Sequence, residues 1–514
     1  MLDLSSSGSR GRAGHRRPRG GWLSVLAVAG VLALGVPGAS VAAVRAGGAQ
    51  TPAPSTAAAS GTYYSTTLNY VIRFRARYTS WFTQALAAKI GVKNSLFSAR
   101  TGPSGIIGTP MAFWPGPNID TVYAGCLYLD LSQGPVILTI PTTNSRWSFA
   151  DIDVWGDYFT GPPSGQPGTY ALALPSWRGT LPPGVTRVNI PYPVSEILVR
   201  ADRYSHDGVN MVASSKAFIA AVRMEPLPAY LKDPSGGGTR PIPQRLFAPA
   251  VGKLVNDLTA RYTPTLYLQT LQTAMHSPTT RPLSASDVTV SKSFDAVFAA
   301  AQRALRRGNP VPLAQMARAV HDAQAIIAND FMTHTIDNSP WIYFDNIGQF
   351  GTDYLARDGV AEFAFGSNTP SVATYYFDYT DACGAALNTR SVPFYRLTFS
   401  KAEIPDAKRF WSITAYTPAG VRLIQWPGIR PIPPQAKGIA SYTPGLVTNP
   451  NGSITIYLQA KAPANPALYA NWLPTTTGPF LLWLRIYGPT GNTALDKHYV
   501  PPSILPLGRS SCGN

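Results

Sequence analysis

The stretch Pro115-Gly-Pro-Asn-Ile-Asp-Thr-Val-Tyr123 leads into a run that ends at Pro141. Within that run Val136, Leu138 and Ile140 alternate with Ile137 and Thr139, the period of a strand, and turn residues stand before them. Asn118, Asp120 and Thr121 form a polar cluster where loop becomes strand. A counterpart lies near the C-terminus, where Asn471-Trp-Leu-Pro474 precedes the apolar run Phe480 to Tyr487. These two blocks predict two β regions, each with polar residues at a strand entrance.

Working outward, short apolar runs cut by turns fill 110 to about 225: Arg146–Val154, Tyr170–Leu174, Val188–Ile190 and Glu196–Arg200. Pro162-Pro-Ser-Gly165 and Pro182-Pro-Gly184 separate them. Strands return beyond 340: Val372–Tyr379, Pro393–Phe399, Phe410–Tyr416, Val421–Trp426, Ser453–Gln459 and Phe480–Tyr487, with a tight-turn signal at Asn451-Gly452. Between them the period changes. Phe247, Val251, Leu254, Val255 and Leu258 mark one helical face, Phe294, Val297, Phe298, Ala301 and Leu305 a second, and Leu313, Met316, Ala317, Val320, Ile327 and Phe331 a third. A further helix is expected over 66–90, with an aromatic stripe of Phe74, Tyr78, Trp81 and Phe82 serving as core. The expected fold is mainly β with a helical insertion (α+β): two jelly-roll or β-sandwich-like domains separated by a helical segment. The boundaries are an N-terminal β domain at 63–232, linker and helices at 233–340, and a C-terminal β domain at 341–514.

Composition agrees with this reading. The 514 residues include 45 glycines and 48 prolines, and only 13% are charged, which suits strands and turns. The net charge of +17 does not form a stripe. Arg10, Arg12, Arg16, Arg17, Arg19 and Arg45 sit in the first fifty residues and the rest is spread thinly, so nucleic acid is not an expected partner. Three cysteines allow one disulfide, with Cys383–Cys512 the pairing considered, while Cys126 reads as a small buried strand residue. Basic residues to Arg19 followed by the apolar run Trp22–Val36 read as an export signal or membrane anchor within 1–45. Residues 46–62, almost all Ala, Gly, Ser, Thr and Pro, read as a flexible tether. Both alternatives place the body outside the cytoplasm, secreted or anchored by its N-terminal segment.

The ordered motifs resemble a pair of bacterial domain-of-unknown-function families, 1254 in the N-terminal half and 1214 in the C-terminal half. The first resemblance rests on Pro117-Asn118, Asp120-Thr121, Tyr123, Asp130-Leu131, Gly134-Pro135, Arg146, Asp151, Trp177 with Gly179, and Arg200. The second rests on Tyr354-Leu355 with Arg357, Tyr375, Phe410-Trp411-Ser412 with Thr414 and Tyr416, Gly452-Ser453, Asn471-Trp472-Leu473-Pro474, and Arg485 with Tyr487. Asn451 stands where the pattern usually has Asp, and Arg430-Pro-Ile-Pro-Pro434 departs from it. The resemblance implies jelly-roll-like domains with helices between them, often in exported proteins, and implies no particular reaction.

The chemistry therefore has to come from individual residues. Asp120, Asp151, Arg200 and Arg357 are the catalytic candidates. Asn118, Thr121, Arg146, Trp411, Tyr416, Trp472, Arg485 and Tyr487 are the ligand-binding candidates. Asp151 and Asp153 share one strand face, either as a polar outer face or as a carboxylate pair for acid–base work or a hard cation. Arginines in apolar surroundings require a carboxylate, carbonyls or an anionic ligand. The aromatics read either as a platform for a sugar or as sandwich core. No GxSxG, HExxH, Walker loop or strand-following GxGxxG is present, and no two of the six histidines have ligand spacing. No metal or cofactor is expected. The expected function is binding of a small molecule, sugar or lipid of the envelope or environment. The alternative is a hydrolase-like enzyme with carboxylates and arginines in an inter-domain cleft. Assembly into a homo-oligomer stays open.

Overall fold

The alternating runs become strands whose apolar faces close on each other in pairs. The computed structural model describes residues 62–89, 91–98, 116, 118–159, 161–241, 259–417 and 438–507. The expected export segment and nearly all of the tether, Pro115 and Pro117, the helical face at 247–258, the strand at 421–426, the segment 430–434 and Cys512 lie outside them. All described residues fall in one compact unit, 38–514.

In the N-terminal region the strands are β1 (Phe97–Ser98), β2 (Thr121–Asp130), β3 (Val136–Ile140), β4 (Trp147–Asp153), β5 (Gly168–Ala173), β6 (Val185–Asn189), β7 (Val194–Asp202), β8 (Arg223–Pro226) and β9 (Arg240–Pro241). They form one sheet of order β4-β7-β2-β1-β9 and another of order β6-β5-β3-β8. Val122, Ala124 and Cys126 of β2, Leu138 and Ile140 of β3, Phe149 of β4 and Ile197 of β7 share one core between them. Arg240 and Pro241, in the stretch expected to be linker, pair in parallel with β1.

The C-terminal region repeats the plan. Its strands are β10 (Ile342–Tyr343), β11 (Ala373–Asp378), β12 (Phe394–Phe399), β13 (Ala407–Tyr416), β14 (Ile439–Ala440), β15 (Ile454–Gln459), β16 (Trp472–Pro474), β17 (Leu481–Pro489) and β18 (Leu505–Leu507). The orders are β10-β11-β17-β13-β14 and β16-β15-β12-β18. Leu397, Ile413, Ile456, Leu482, Leu484 and Ile486 fill the space between these two sheets. The Asn451-Gly452 turn is present, with the Asn449 carbonyl accepting from Gly452 N at 2.8 Å. It leads into β15, which pairs with β12 and β16.

Helices cover both regions. They are α1 (Thr62–Lys89), α2 (Val212–Ala221), the single turn α3 (Leu227–Tyr230), α4 (Pro264–His276), α5 (Ala285–Arg306), α6 (Val311–Thr333) and α7 (Tyr354–Phe363). The aromatic stripe of α1 is core along Phe74 and Tyr78, and its neighbour Tyr70 stacks on Phe294 of α5 at 3.7 Å. Tyr78 stacks on Tyr267 of α4 at 4.5 Å. The same cluster takes in Val154, Trp155 and Val194 of the first sandwich. At the far end of α6, Phe331 packs on Phe344, Phe363 and Phe377 of the second region.

Besides the single turn α3, two helices go beyond the expected pattern. The first is α4, whose start the Thr263-Pro264 pair marks. The second is α7, inside the region expected to be strands. Asp353 caps it by accepting from Ala356 N. Its apolar period is hidden because Arg357, Asp358 and Glu362 are buried along with Ala356, Val360 and Phe363. Glu362 pairs with the fully buried Arg75 of α1 at 2.6 Å. Cys126 is a buried free thiol and Cys383 is disulfide-bonded. Among the described residues no helix is long and apolar enough to cross a membrane.

Phe331→Ala removes a fully buried ring that joins α6 to the second sandwich. Urea unfolding should show a loss of about 3–5 kcal/mol, the usual cost of such a cavity.

Candidate functional site at the seam of the two β regions

Each sandwich turns its second face toward the other. On β2 and β7, Val122 and Ala201 point into the first core, so alternation puts Thr121, Tyr123, Arg200 and Asp202 on the opposite face. On β13 and β17, Ile413 and Ile486 point into the second core, which leaves Ser412, Thr414, Arg485 and Tyr487 on the outer face. That outer face is buried nonetheless, because the polar face of the first region meets it.

Asp120 is the centre of the seam. Its Oδ2 accepts from Ser412 Oγ at 2.7 Å and its Oδ1 from Tyr442 OH at 2.5 Å. Asn118 Oδ1 accepts from Asp120 N at 2.6 Å, an Asx turn that fixes the loop, while Asn118 Nδ2 donates to Tyr487 OH at 2.7 Å. Tyr442 is held by stacking on Tyr204 at 4.5 Å. Burial, then the Asp120 charge, push the Tyr442 hydroxyl well above its ordinary range. Beside them Asp120, Arg203, Tyr204 and Tyr442 line a cavity of about 20 Å³, room for one water.

Four arginines lie at the same seam, and three of them, Arg485, Arg200 and Arg409, bond across it. Arg485 donates through Nη2 to the Gly116 carbonyl and to Tyr416 OH, both at 2.8 Å. Burial opposes its charge, but Tyr416 and Asp120 hold its pKa above the ordinary value. Arg200 donates to Asn368 Oδ1 at 2.6 Å and to the Gly366 carbonyl. Asn368 Nδ2 in turn donates to Tyr375 OH at 2.7 Å. Arg203 reaches the Ile119 carbonyl. Arg409 grips Asp202 with two hydrogen bonds, one of them at 2.9 Å, in a bidentate pair that is nearly sealed from water. Burial raises the Asp202 carboxyl and the Arg409 charge pulls it back.

One part of the seam is open. A groove of about 660 Å³ is lined by Arg146 and His206 of the first region and by Asp406, Lys408, Trp411, Ser441 and Gly491 of the second. Arg146 Nη1 donates to the Lys408 carbonyl at 2.5 Å across it. This is the size and the place, between two folded regions, where small-molecule sites usually occur.

The fold thus brings together Asp120, Asn118, Thr121, Arg200, Arg485, Tyr416 and Tyr487 at the seam, with Arg146 and Trp411 at the groove. It does not bring in the others. Trp472 is fully buried in the second region, its Nε1 donating to the Gln459 carbonyl at 2.9 Å. Arg357 lies on α7 against the Trp155 and Tyr354 rings and donates to the Arg73 carbonyl. Asp151 shares the face of Trp147 and Phe149, which is the core side and so opposite to Arg200. The Asp151–Asp153 face is therefore not a polar outer face: both carboxylates are buried. Neither oxygen of Asp151 has a hydrogen-bond partner among the described residues. Burial pushes its carboxyl up to about 7, against the nearby Ser195 hydroxyl, and pushes Asp153 up to about 8. Sequence reading missed Asp202, Arg203, Asn368, Arg409 and Tyr442. Alternation in β7, which sets Arg200 and Asp202 opposite Val199 and Ala201, hinted at Asp202, whereas Arg409 has the parity of the core residues Trp411 and Ile413 and lies at the register shift between Ala407 and Phe410.

The fold and seam define a class: an α+β protein made of two sandwiches joined through a buried polar layer. Residues 107–226 match the family model described as protein of unknown function DUF1254, and residues 372–491 match that of DUF1214. No curated protein matches the chain. Among solved structures, the VPA0106 protein from Vibrio parahaemolyticus has a TM-score of 0.52 at 16% identity, covering 87% of this chain and all of that one. An uncharacterised protein from Burkholderia cenocepacia gives 0.38 at 12% identity, over 86% of this chain and 93% of its own. The first of these likenesses concerns the fold alone.

Asp151 gives a pH test. Its folded pKa lies above the unfolded one, so the stability it contributes is complete below about pH 4. That stability is lost as pH rises through about 7. The advantage of Asp151→Asn over the wild type in urea should therefore be smallest near pH 4 and grow steadily towards pH 8.

Proposed function

We propose that this chain is a binding protein of the extracytoplasmic space, secreted or held to the membrane by its N-terminal segment. Its ligand, a small molecule, sugar or lipid, occupies the groove at the seam. The observation that carries this reading is the groove itself, which has the volume of a small-molecule site and draws its lining from both matched regions. The rest of the seam favours holding over turnover. Both oxygens of Asp120 already accept hydrogen bonds from side chains of the second region. A hydrolase would need a second carboxylate or a free base beside it. The neighbouring carboxylate, Asp202, is taken by Arg409, Asp151 is on the other face of its sheet and Arg357 is among the helices. The extracytoplasmic address is supported by the basic flank, apolar run and tether of the N-terminus.

Two measurements test this. Native mass spectrometry of the chain purified from cells should show a bound small molecule, and Ser441→Trp, which plugs the groove from an exposed position, should lose it. Equal loading of both proteins, or an empty wild type, would refute the groove as the site. Alkaline phosphatase joined behind residue 62 should be active on intact bacteria and lose that activity when Leu26 and Leu32 are both replaced by Arg. Activity that survives the replacement would argue against export by this segment.

A further inference from the structure

The charges around the groove are unequal in their freedom to bind. Asp406, the acidic side chain in the lining, keeps its charge but is fixed against the Gly491–Asn492 turn. Its Oδ2 accepts from Asn492 N at 2.9 Å, and its backbone N donates to Asn492 Oδ1 at 2.8 Å. It also packs so tightly on Gly491 that an added Cβ would stand 2.1 Å from Oδ2. Arg409, one residue beyond Lys408, is neutralised by Asp202. The cations of the lining are not used in this way. Arg146 is exposed, and its one hydrogen bond, from Nη1 to the Lys408 carbonyl, fixes the guanidinium at the rim. Its Nε and Nη2 have no partner among the described residues. Lys408 is exposed, and its ammonium makes no ion pair among them. His206 adds a ring whose Nδ1 lies 3.4 Å from the Arg409 carbonyl.

A guanidinium held by one nitrogen, with two more donors free, is a prepared two-point partner for a planar or tetrahedral oxyanion. A lysine ammonium on a flexible stem beside it adds a point charge that adjusts to the ligand. The volume exceeds what an inorganic ion fills. Resting on the reading of the groove as the binding site, we infer that it takes the carboxylate or phosphate group of a small organic anion. Arg146 and Lys408, one from each β region, are the recognition pair. Both cations must come together for the site to exist, so recognition depends on the seam being closed.

Titration calorimetry on the purified chain tests this with three ligands that share a ring: glucuronate, glucose 6-phosphate and uncharged glucose. The first two separate a carboxylate source from a phosphate source. At least one of them should bind at least about tenfold more tightly than glucose. The Arg146→Ala/Lys408→Ala double variant, whose two positions are exposed, should lose that preference while its circular dichroism stays that of wild type. Equal binding of glucose and the anions, undiminished anion binding by the double variant, or no binding of either anion at millimolar concentration would overturn the assignment. The parent reading fails separately. A cell-derived molecule that Ser441→Trp removes and the double variant keeps would leave the groove a binding site without anion recognition.

Discussion

The Asp202–Arg409 pair sets the geometry on which everything at the seam depends. Two charges taken out of water cost several kcal/mol each unless they meet with good geometry. Here a fork of guanidinium donors meets a carboxylate from the other β region. Neither sandwich can bury its second face alone, because each would strand charges there. Joined, Asp202 answers Arg409, Asp120 answers Ser412 and Tyr442, and Asn368 answers Arg200. The polar layer thus specifies one docking arrangement, since a shift by one strand residue would exchange polar for apolar positions throughout.

The helices give that docking a second hold. Tyr70, Tyr78 and Trp155 tie α1 to α4, α5 and the first sandwich, while Phe331 and α7 reach the second. The Arg75–Glu362 pair crosses between α1 and α7 in full burial. A groove edged by Arg146 on one side and Lys408 on the other is a direct product of this arrangement.

Much of the fold is legible in the chain itself. Val136–Ile140, Phe394–Phe399 and Ile454–Gln459 read as strands because their side chains alternate between a core and a less apolar side. Val311–Thr333 reads as a helix because its apolar residues recur every three or four positions. Recognition fails where an element is buried on all sides. In α7, Arg357, Asp358 and Glu362 look like a solvated face, yet they are inside, paired with or close to charges from elsewhere. Asp151 misleads in the same way, as a carboxylate that strand alternation places in a core.

By itself the sequence determined the local periods, hence two β regions with helices between them, and the polar residues at the strand entrances, Asn118, Asp120 and Thr121 among them. Periodicity is a property of neighbours along the chain, so it can be read there. Tertiary structure alone decided which polar residue answers which. Asp120 meets Ser412 and Tyr442 some three hundred residues away, and Arg146 meets Lys408 across the groove. Such pairings depend on how two finished faces dock, and no spacing within either face records it.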